Sequence, residues 1–198
     1  MAKIMWEGNQ EWDKVFPEVT VPSKAKKLEM PSDILKASLP YGILPMLLCF
    51  ACVFYKRTIS SEFFFDLRFM LLSLLIGFLL IPLHEFLHAI CYPSDAIVYI
   101  GVSLKKLAAY AISFYPISKV RFIMMSLMPV LLGIIPMLVF ILAPASQSIL
   151  LTLSMAPMFM GMISPSPDYM IVILVLKHVP NGTMIQAVND GLYWFKSN

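Results

Sequence analysis

The sequence predicts an all-α membrane protein with about four transmembrane helices and a short β-hairpin or re-entrant segment between the second and the third. Hydrophobic residues make up 59% of the 198 residues and charged residues only 14%, whereas soluble domains contain about 45–50% and about 25%. The mean hydropathy is +0.79. Four uncharged or nearly uncharged stretches are each long enough to cross a hydrocarbon core of about 30 Å.

The predicted elements follow the charge pattern along the chain. Residues 1–36 form a polar arm with six lysines and three prolines, which predicts an irregular cytoplasmic segment. Residues 37–198 are predicted to form a single membrane-embedded domain with a short C-terminal tail. Its spans are expected at about residues 37–55, 69–92, 122–143 and 148–176.

Two segments outside these spans carry patterns typical of extended chain. Residues 94–118 contain β-branched and aromatic residues on both sides of Lys105 and Lys106, which indicates a short β-hairpin or a re-entrant loop. The segment after Lys177 is predicted to be extended and outside the bilayer, with turns at Asn181-Gly182 and at Gly191.

The distribution of basic residues predicts the orientation of the spans. With the N-terminus inside, twelve of the fifteen lysines and arginines lie in cytoplasmic segments. This asymmetry favours four spans, with both termini cytoplasmic, in the cell membrane. The net charge of +3 is small, and the basic residues are not interleaved with aromatic ones, so we expect no nucleic-acid partner.

His84-Glu85-Phe86-Leu87-His88 follows an uncharged run over residues 69–83. Residues four apart lie on one face of a helix, so His84 and His88 can bind one metal ion together. In the H-E-x-x-H motif two histidines bind zinc, and the glutamate takes a proton from the water that attacks a peptide carbonyl. A carboxylate at membrane depth costs about 2.5–3.5 kcal/mol, which favours a functional role for Glu85. The alternative is a helix that ends here with Glu85 facing water.

A catalytic zinc ion usually has a third protein ligand. The candidates outside the arm are Glu62, Asp66, Asp95, Asp168, His178 and Asp190. Asp168 is favoured because, besides Glu85, it is the one acid within an apolar stretch, and Pro165 and Pro167 are expected to break the helix beside it. Asp168 could instead cap the helical segment that follows it. Ser164, Ser166 and Tyr169 are candidate substrate or loop contacts.

These residues resemble the site-2-type intramembrane metalloproteases, in which an aspartate on a later, proline-interrupted span completes the H-E-x-x-H site. The chain departs from that pattern because Tyr169, not glycine, follows Asp168, and because Met162-Ile163-Ser164 contains no asparagine. From Phe69 onward, including the run PISKVRFIMMSLMP, the chain more closely resembles the small zincin peptidases of the DUF3267 group. The first 60 or so residues lie outside this resemblance.

The expected function is a zinc-dependent peptidase that acts in or at the membrane on a peptide or membrane-protein substrate. One Zn²⁺ is expected on His84, His88 and Asp168, with Glu85 as the catalytic base, the lipid bilayer around the spans and residues 94–118 over the site. The alternative is a non-catalytic metal-binding membrane protein, such as a transporter or accessory subunit. In a third interpretation the protein is purely structural and the motif is accidental.

Overall fold

The computed structural model describes residues 2–9, 16, 19–60, 65–103 and 108–196. Among these residues four helical segments are long and apolar enough to cross a membrane: Ile34–Ile59, Leu67–Ile90, Lys119–Leu142 and Ser148–His178. They contain seven α-helices, which are α1 (Ile34–Ser38), α2 (Ile43–Ile59), α3 (Met70–Ile90), α4 (Lys119–Leu127), α5 (Leu131–Leu142), α6 (Ser148–Ile163) and α7 (Ser166–His178). Short 3-10 turns continue several of them.

The all-α prediction is wrong, because the described residues also form two β-sheets. Their strands are β1 (Lys3–Asn9), β2 (Lys26–Lys27), β3 (Ile97–Ser103), β4 (Ala108–Ile112), β5 (Ile117–Ser118), β6 (Thr183–Val188) and β7 (Gly191–Lys196). One sheet has the order β1-β3-β4 and the other has the order β2-β7-β6-β5. The segment predicted as a lone hairpin or re-entrant loop therefore belongs to a larger sheet; Lys105 and Lys106 lie outside the described residues.

The N-terminal arm, predicted to be irregular, contributes a strand to each sheet. Strand β1 pairs in parallel with β3, with Ile4 opposite Val98, and β3 pairs antiparallel with β4. Val98 and Ile100 are buried together with Ala89 near the end of α3. Parallel strands need a long connection, and β1 pairs with a strand far along the chain. Local sequence patterns do not indicate a pairing between such distant segments.

The C-terminal segment, predicted only as extended, forms the β6–β7 hairpin of the second sheet. Gly191 follows the tight turn with φ 143°, a backbone conformation that favours glycine. This sheet packs on α4 and α7 through a buried cluster that includes Phe122, Val175 and Ile185. The tail is therefore part of a folded core.

The chain divides into two compact units. One contains Met1–Ile34, Pro82–Met128 and Asp168–Asn198, and therefore both sheets, the part of α3 from Pro82 onward, α4 and nearly all of α7. The other contains Leu35–Ile81 and Pro129–Pro167, and therefore α2, the first part of α3, α5 and α6. The H-E-x-x-H residues and Asp168 all belong to the first unit.

The helical unit is held together by close backbone packing and by buried polar side chains. A Cβ atom built on Gly161 would clash with the backbone nitrogen of Gly133, so α5 and α6 can approach this closely only with glycine. Lys56 is fully buried, and its Nζ donates hydrogen bonds to the carbonyls of Ile141 and Ala143 at the end of α5. These carbonyls have no partner within a helix, so the lysine satisfies them.

Candidate metal centre

Two helices position the three candidate ligands. His84 and His88 lie four residues apart in α3, so their side chains share one face. Helix α6 ends at Ile163 and α7 begins at Ser166, which places Pro167 and Asp168 in the first turn of α7, where proline loses no helical hydrogen bond. Asp168 therefore lies inside the helix and does not occupy the N-cap position that the capping interpretation requires.

The ligand atoms of these three residues converge. His84 Nε2 lies 3.1 Å from His88 Nε2 and 3.2 Å from Asp168 Oδ2. His88 Nε2 lies 3.5 Å from Asp168 Oδ1. Tetrahedral zinc with bonds of about 2.0–2.1 Å places neighbouring ligand atoms about 3.3 Å apart. The two contacts to Asp168 involve different carboxylate oxygens, but each of the three closest separations is near that edge, so the three side chains are close enough together to share one zinc ion.

The chemistry of the donor set also fits a cation. His88 Nδ1 lies 2.9 Å from the carbonyl oxygen of Met125 in α4 and can only donate to it. In the neutral ring, Nε2 then carries a lone pair directed at His84 and Asp168. This outer hydrogen bond fixes the tautomer and the ring orientation, as it does for most zinc-binding histidines. Lone pairs that converge in a mostly buried site need a positive charge between them.

Glu85 lies beside the ligands but is not among the three that converge. Its half-buried side chain is close to the backbone N–H of Ala111 in β4. Strand β4 is the outer strand of its sheet among the described residues. The carboxylate therefore lies between the face of α3 that carries His84 and His88 and the edge of a strand.

The other ligand candidates are engaged elsewhere or exposed. Asp66 forms an ion pair with Arg68, and Asp190 forms one with Lys27. Asp95 is exposed and accepts a hydrogen bond from Ser94. His178 is exposed at the end of α7, and Glu62 lies outside the described residues. Asp168 is thus the described acid that joins the two histidines in a metal-binding group.

The predicted loop contacts have different environments. Ser164 is exposed at the C-cap of α6, and its backbone N–H donates to the Met160 carbonyl. Ser166 is buried, and its hydroxyl donates to the carbonyl of Ile163 over 2.5 Å. Tyr169 is half-buried directly after Asp168. Their role as substrate contacts stays a prediction.

Two backbone groups near the site were not predicted from the sequence. The Met125 carbonyl orients His88, and the Ala111 amide faces Glu85. Backbone atoms occur in every residue, so no residue type marks them. Only the run PISKVRFIMMSLMP, which contains Met125, pointed to this part of the chain.

A protein-family model matches residues 77–184, which include all four motif and ligand residues. The family is DUF3267, described as "Putative zincin peptidase". The chain belongs to this family. Membership in DUF3267 supports a metal-dependent peptidase at the level of the family, and the zincin class implies zinc. No curated protein and no solved structure matches the chain.

Proposed function

We propose that this DUF3267 protein is a zinc-dependent intramembrane or membrane-proximal peptidase that hydrolyses peptide bonds with a metal-activated water. The observation that carries the proposal is the convergence of His84, His88 and Asp168 at separations of 3.1–3.5 Å, directly beside Glu85. Family membership supports the peptidase class. The resemblance to site-2-type proteases supports the membrane setting of the reaction.

Each residue has a defined role in this proposal. His84, His88 and Asp168 bind Zn²⁺, and Met125 holds the His88 ring in the orientation that presents Nε2. Zinc, when bound, acts as a Lewis acid that lowers the pKa of a bound water to about 7. Glu85 accepts the proton of the attacking water and then donates it to the amine of the leaving group. The same carboxyl thus serves as base and as acid.

Strand β4 supports a way to position the substrate. Its residues Ala108–Ile112 pair with β3 on one side, and the other side has no paired strand among the described residues. An extended peptide can add to such an edge through main-chain hydrogen bonds. Because Ala111 lies beside Glu85, a peptide bound there would pass next to the catalytic carboxylate.

The membrane setting rests on the four apolar helical segments and on the distribution of lysine and arginine. We propose a multi-pass protein of the cell membrane with both termini cytoplasmic. The second span then runs toward the cytoplasm, and its last third carries His84, Glu85 and His88. Hydrolysis would take place near the cytoplasmic face of the bilayer.

A non-catalytic metal-binding protein is the alternative, and Glu85 distinguishes the two functions. A site that only binds an ion needs His84, His88 and Asp168, whereas hydrolysis also needs a base. The test uses purified wild type, Glu85→Gln and His84→Ala, with zinc measured per chain and cleavage measured on a library of membrane-segment peptides.

We expect one zinc in wild type and in Glu85→Gln, little zinc in His84→Ala, and cleavage by wild type alone. Exposed His178→Ala is the matched histidine control and should behave as wild type. Zinc binding in wild type without cleavage of any peptide would favour the non-catalytic alternative. Cleavage by Glu85→Gln at the wild-type rate would contradict the proposed role of Glu85.

A further inference from the structure

A large apolar cavity lies in the same structural unit as the metal centre. Its volume is about 1100 Å³, which exceeds the roughly 300–1,000 Å³ of ordinary small-molecule pockets. Its walls come from the arm between Lys27 and Ile34, the end of β4, helix α7 and the β6–β7 turn. A space of this size can hold several amino-acid side chains.

Two walls of the cavity continue directly from the catalytic residues. Ile112 lines the cavity and follows Ala111, the residue whose amide lies beside Glu85. Ile171 also lines it and comes three residues after Asp168 in α7, which puts it on the same side of that helix. Phe114 extends the wall beyond the end of β4. The cavity therefore begins where the proposed substrate edge ends.

The lining favours uncharged, apolar groups. Met30, Ile34, Val188 and Leu192 are among its residues. Three charged residues also line it, and all are exposed: Lys27 and Asp190, which form an ion pair of 2.7 Å with each other, and Glu29. The carboxylate keeps the pKa of Lys27 above its usual value, and the lysine keeps the pKa of Asp190 below its own. The ion pair cancels its own charge, so the described lining is left with the one negative charge of exposed Glu29, which does not favour an anionic ligand.

We propose that this cavity binds a hydrophobic segment of the peptide substrate, several residues away from the bond that is cut. The occupant is a peptide because the cavity continues from the outer edge of β4, where an extended chain can pair by its backbone. The inference rests on the proposed peptidase function. It means that the protein selects substrates by an apolar flank as well as by the residues at the cleavage site.

The test measures peptide binding apart from catalysis. Val188→Trp fills the cavity with a larger side chain, and Val102→Trp is the matched control, since Val102 is also a half-buried strand valine but does not line the cavity. Both changes are made in Glu85→Gln. Fluorescence anisotropy then gives the affinity of labelled eight-residue peptides with four leucines or four serines on one flank, at either end.

For a leucine-flanked peptide we expect Val188→Trp to bind about tenfold to a hundredfold more weakly than Val102→Trp, the loss that corresponds to returning one leucine to water. The serine-flanked peptides should bind both variants equally. Equal affinity of both variants for all leucine-flanked peptides would overturn the proposal. Zinc content shows whether each variant keeps its metal centre, and Leu192→Gln replaces Val188→Trp if that variant does not fold.

The two proposals fail in different ways. If wild type cleaves no peptide but the leucine flank still binds through the cavity, the peptidase function is wrong and the cavity is a peptide-binding site. If wild type cleaves leucine-flanked and serine-flanked peptides with the same kcat/KM, and Val188→Trp changes neither, the peptidase function stands and the cavity has no role in selection.

Discussion

At the scale of single residues, the site depends on side chains that an apolar helix does not need for stability. His84, Glu85 and His88 follow an uncharged run of α3, and each would cost free energy in hydrocarbon. In the proposed function, binding to one ion would remove that cost for the histidines and Asp168. Glu85 lies beside a backbone amide of β4, which compensates its carboxylate without a metal ion and would leave it available for proton transfer.

Shortening the side chain of Glu85 tests whether its carboxylate acts in proton transfer. Glu85→Asp keeps the acid but withdraws it by one methylene, so we expect zinc to stay bound while kcat falls by about ten- to a thousandfold, since a misplaced base loses most of its contribution. Single-turnover cleavage and zinc content are the measurements. An unchanged kcat would show that Glu85 does not take part in proton transfer, and exposed Asp95→Asn should leave both values at the wild-type level.

At the scale of secondary-structure elements, the amino-acid composition predicted the helical segments but did not predict the two sheets. Uncharged stretches of about 20 residues marked the helical segments, because only helices satisfy the backbone within lipid. Strand β1 pairs with β3 in parallel, and β2 consists of only two residues, Lys26 and Lys27. Pairing between segments so distant, or so short, leaves no local pattern.

The structure around Asp168 could be predicted in part. The two prolines indicated a helix break, and α6 and α7 do end and begin there, at Ile163 and Ser166. The distances from Asp168 to His84 and His88 depend on how α3 and α7 pack within the first unit. Sequence spacing gives no such distance.

The outer edge of β4 can be blocked without replacing a side chain that binds zinc. Ala111→Pro removes the amide beside Glu85, and proline is tolerated on the outer side of an edge strand. We expect zinc to remain and peptide cleavage to fall at least tenfold, because Glu85 loses its backbone donor and the proline ring obstructs the edge where the substrate would pair. Ala111→Val keeps the amide and should remain active; equal activity of the two variants would exclude this edge as the substrate site.

Close packing of α5 and α6 gives a prediction on stability. Gly161→Ala places a methyl group against the backbone of Gly133, so we expect a loss of about 1–3 kcal/mol in the free energy of unfolding and a lower Tm in detergent. Gly77→Ala is the matched control, since its added methyl would crowd only the flexible Met160 sulfur and would lie at an ordinary 3.5 Å from the nearest backbone atom, in Ala156. A Tm for Gly161→Ala equal to or above that of Gly77→Ala would contradict the packing argument.

At the scale of the whole molecule, the order of segments along the chain differs from their order in space. The metal centre takes α3, α4 and α7 from separate parts of the sequence, and the N-terminal arm joins both sheets. The composition therefore predicted a membrane-spanning character. The mixed α and β architecture depends on strand pairings between distant segments, which the composition does not reveal.

The proposed topology predicts where each terminus lies. Alkaline phosphatase is active only outside the cytoplasm, and a suitable fluorescent protein is fluorescent only inside it. Fusions of each reporter to each terminus should show that both termini lie in the cytoplasm. In the four-span topology, the turn between α5 and α6, near Ser146, lies outside the cytoplasm. A fusion there should therefore report the side opposite to the termini, and a cytoplasmic signal would contradict the four-span topology.

The proposed peptidase depends on the binding of one zinc ion by His84, His88 and Asp168. The most direct measurement is zinc per chain in the purified protein, together with zinc-edge X-ray absorption to identify the ligands, for wild type, Asp168→Ala and the exposed control Asp95→Ala. We expect one zinc with two imidazole nitrogens and a carboxylate oxygen in wild type and in Asp95→Ala, and a zinc affinity at least tenfold lower in Asp168→Ala. Wild type without zinc, or Asp168→Ala with wild-type zinc affinity, would contradict this expectation.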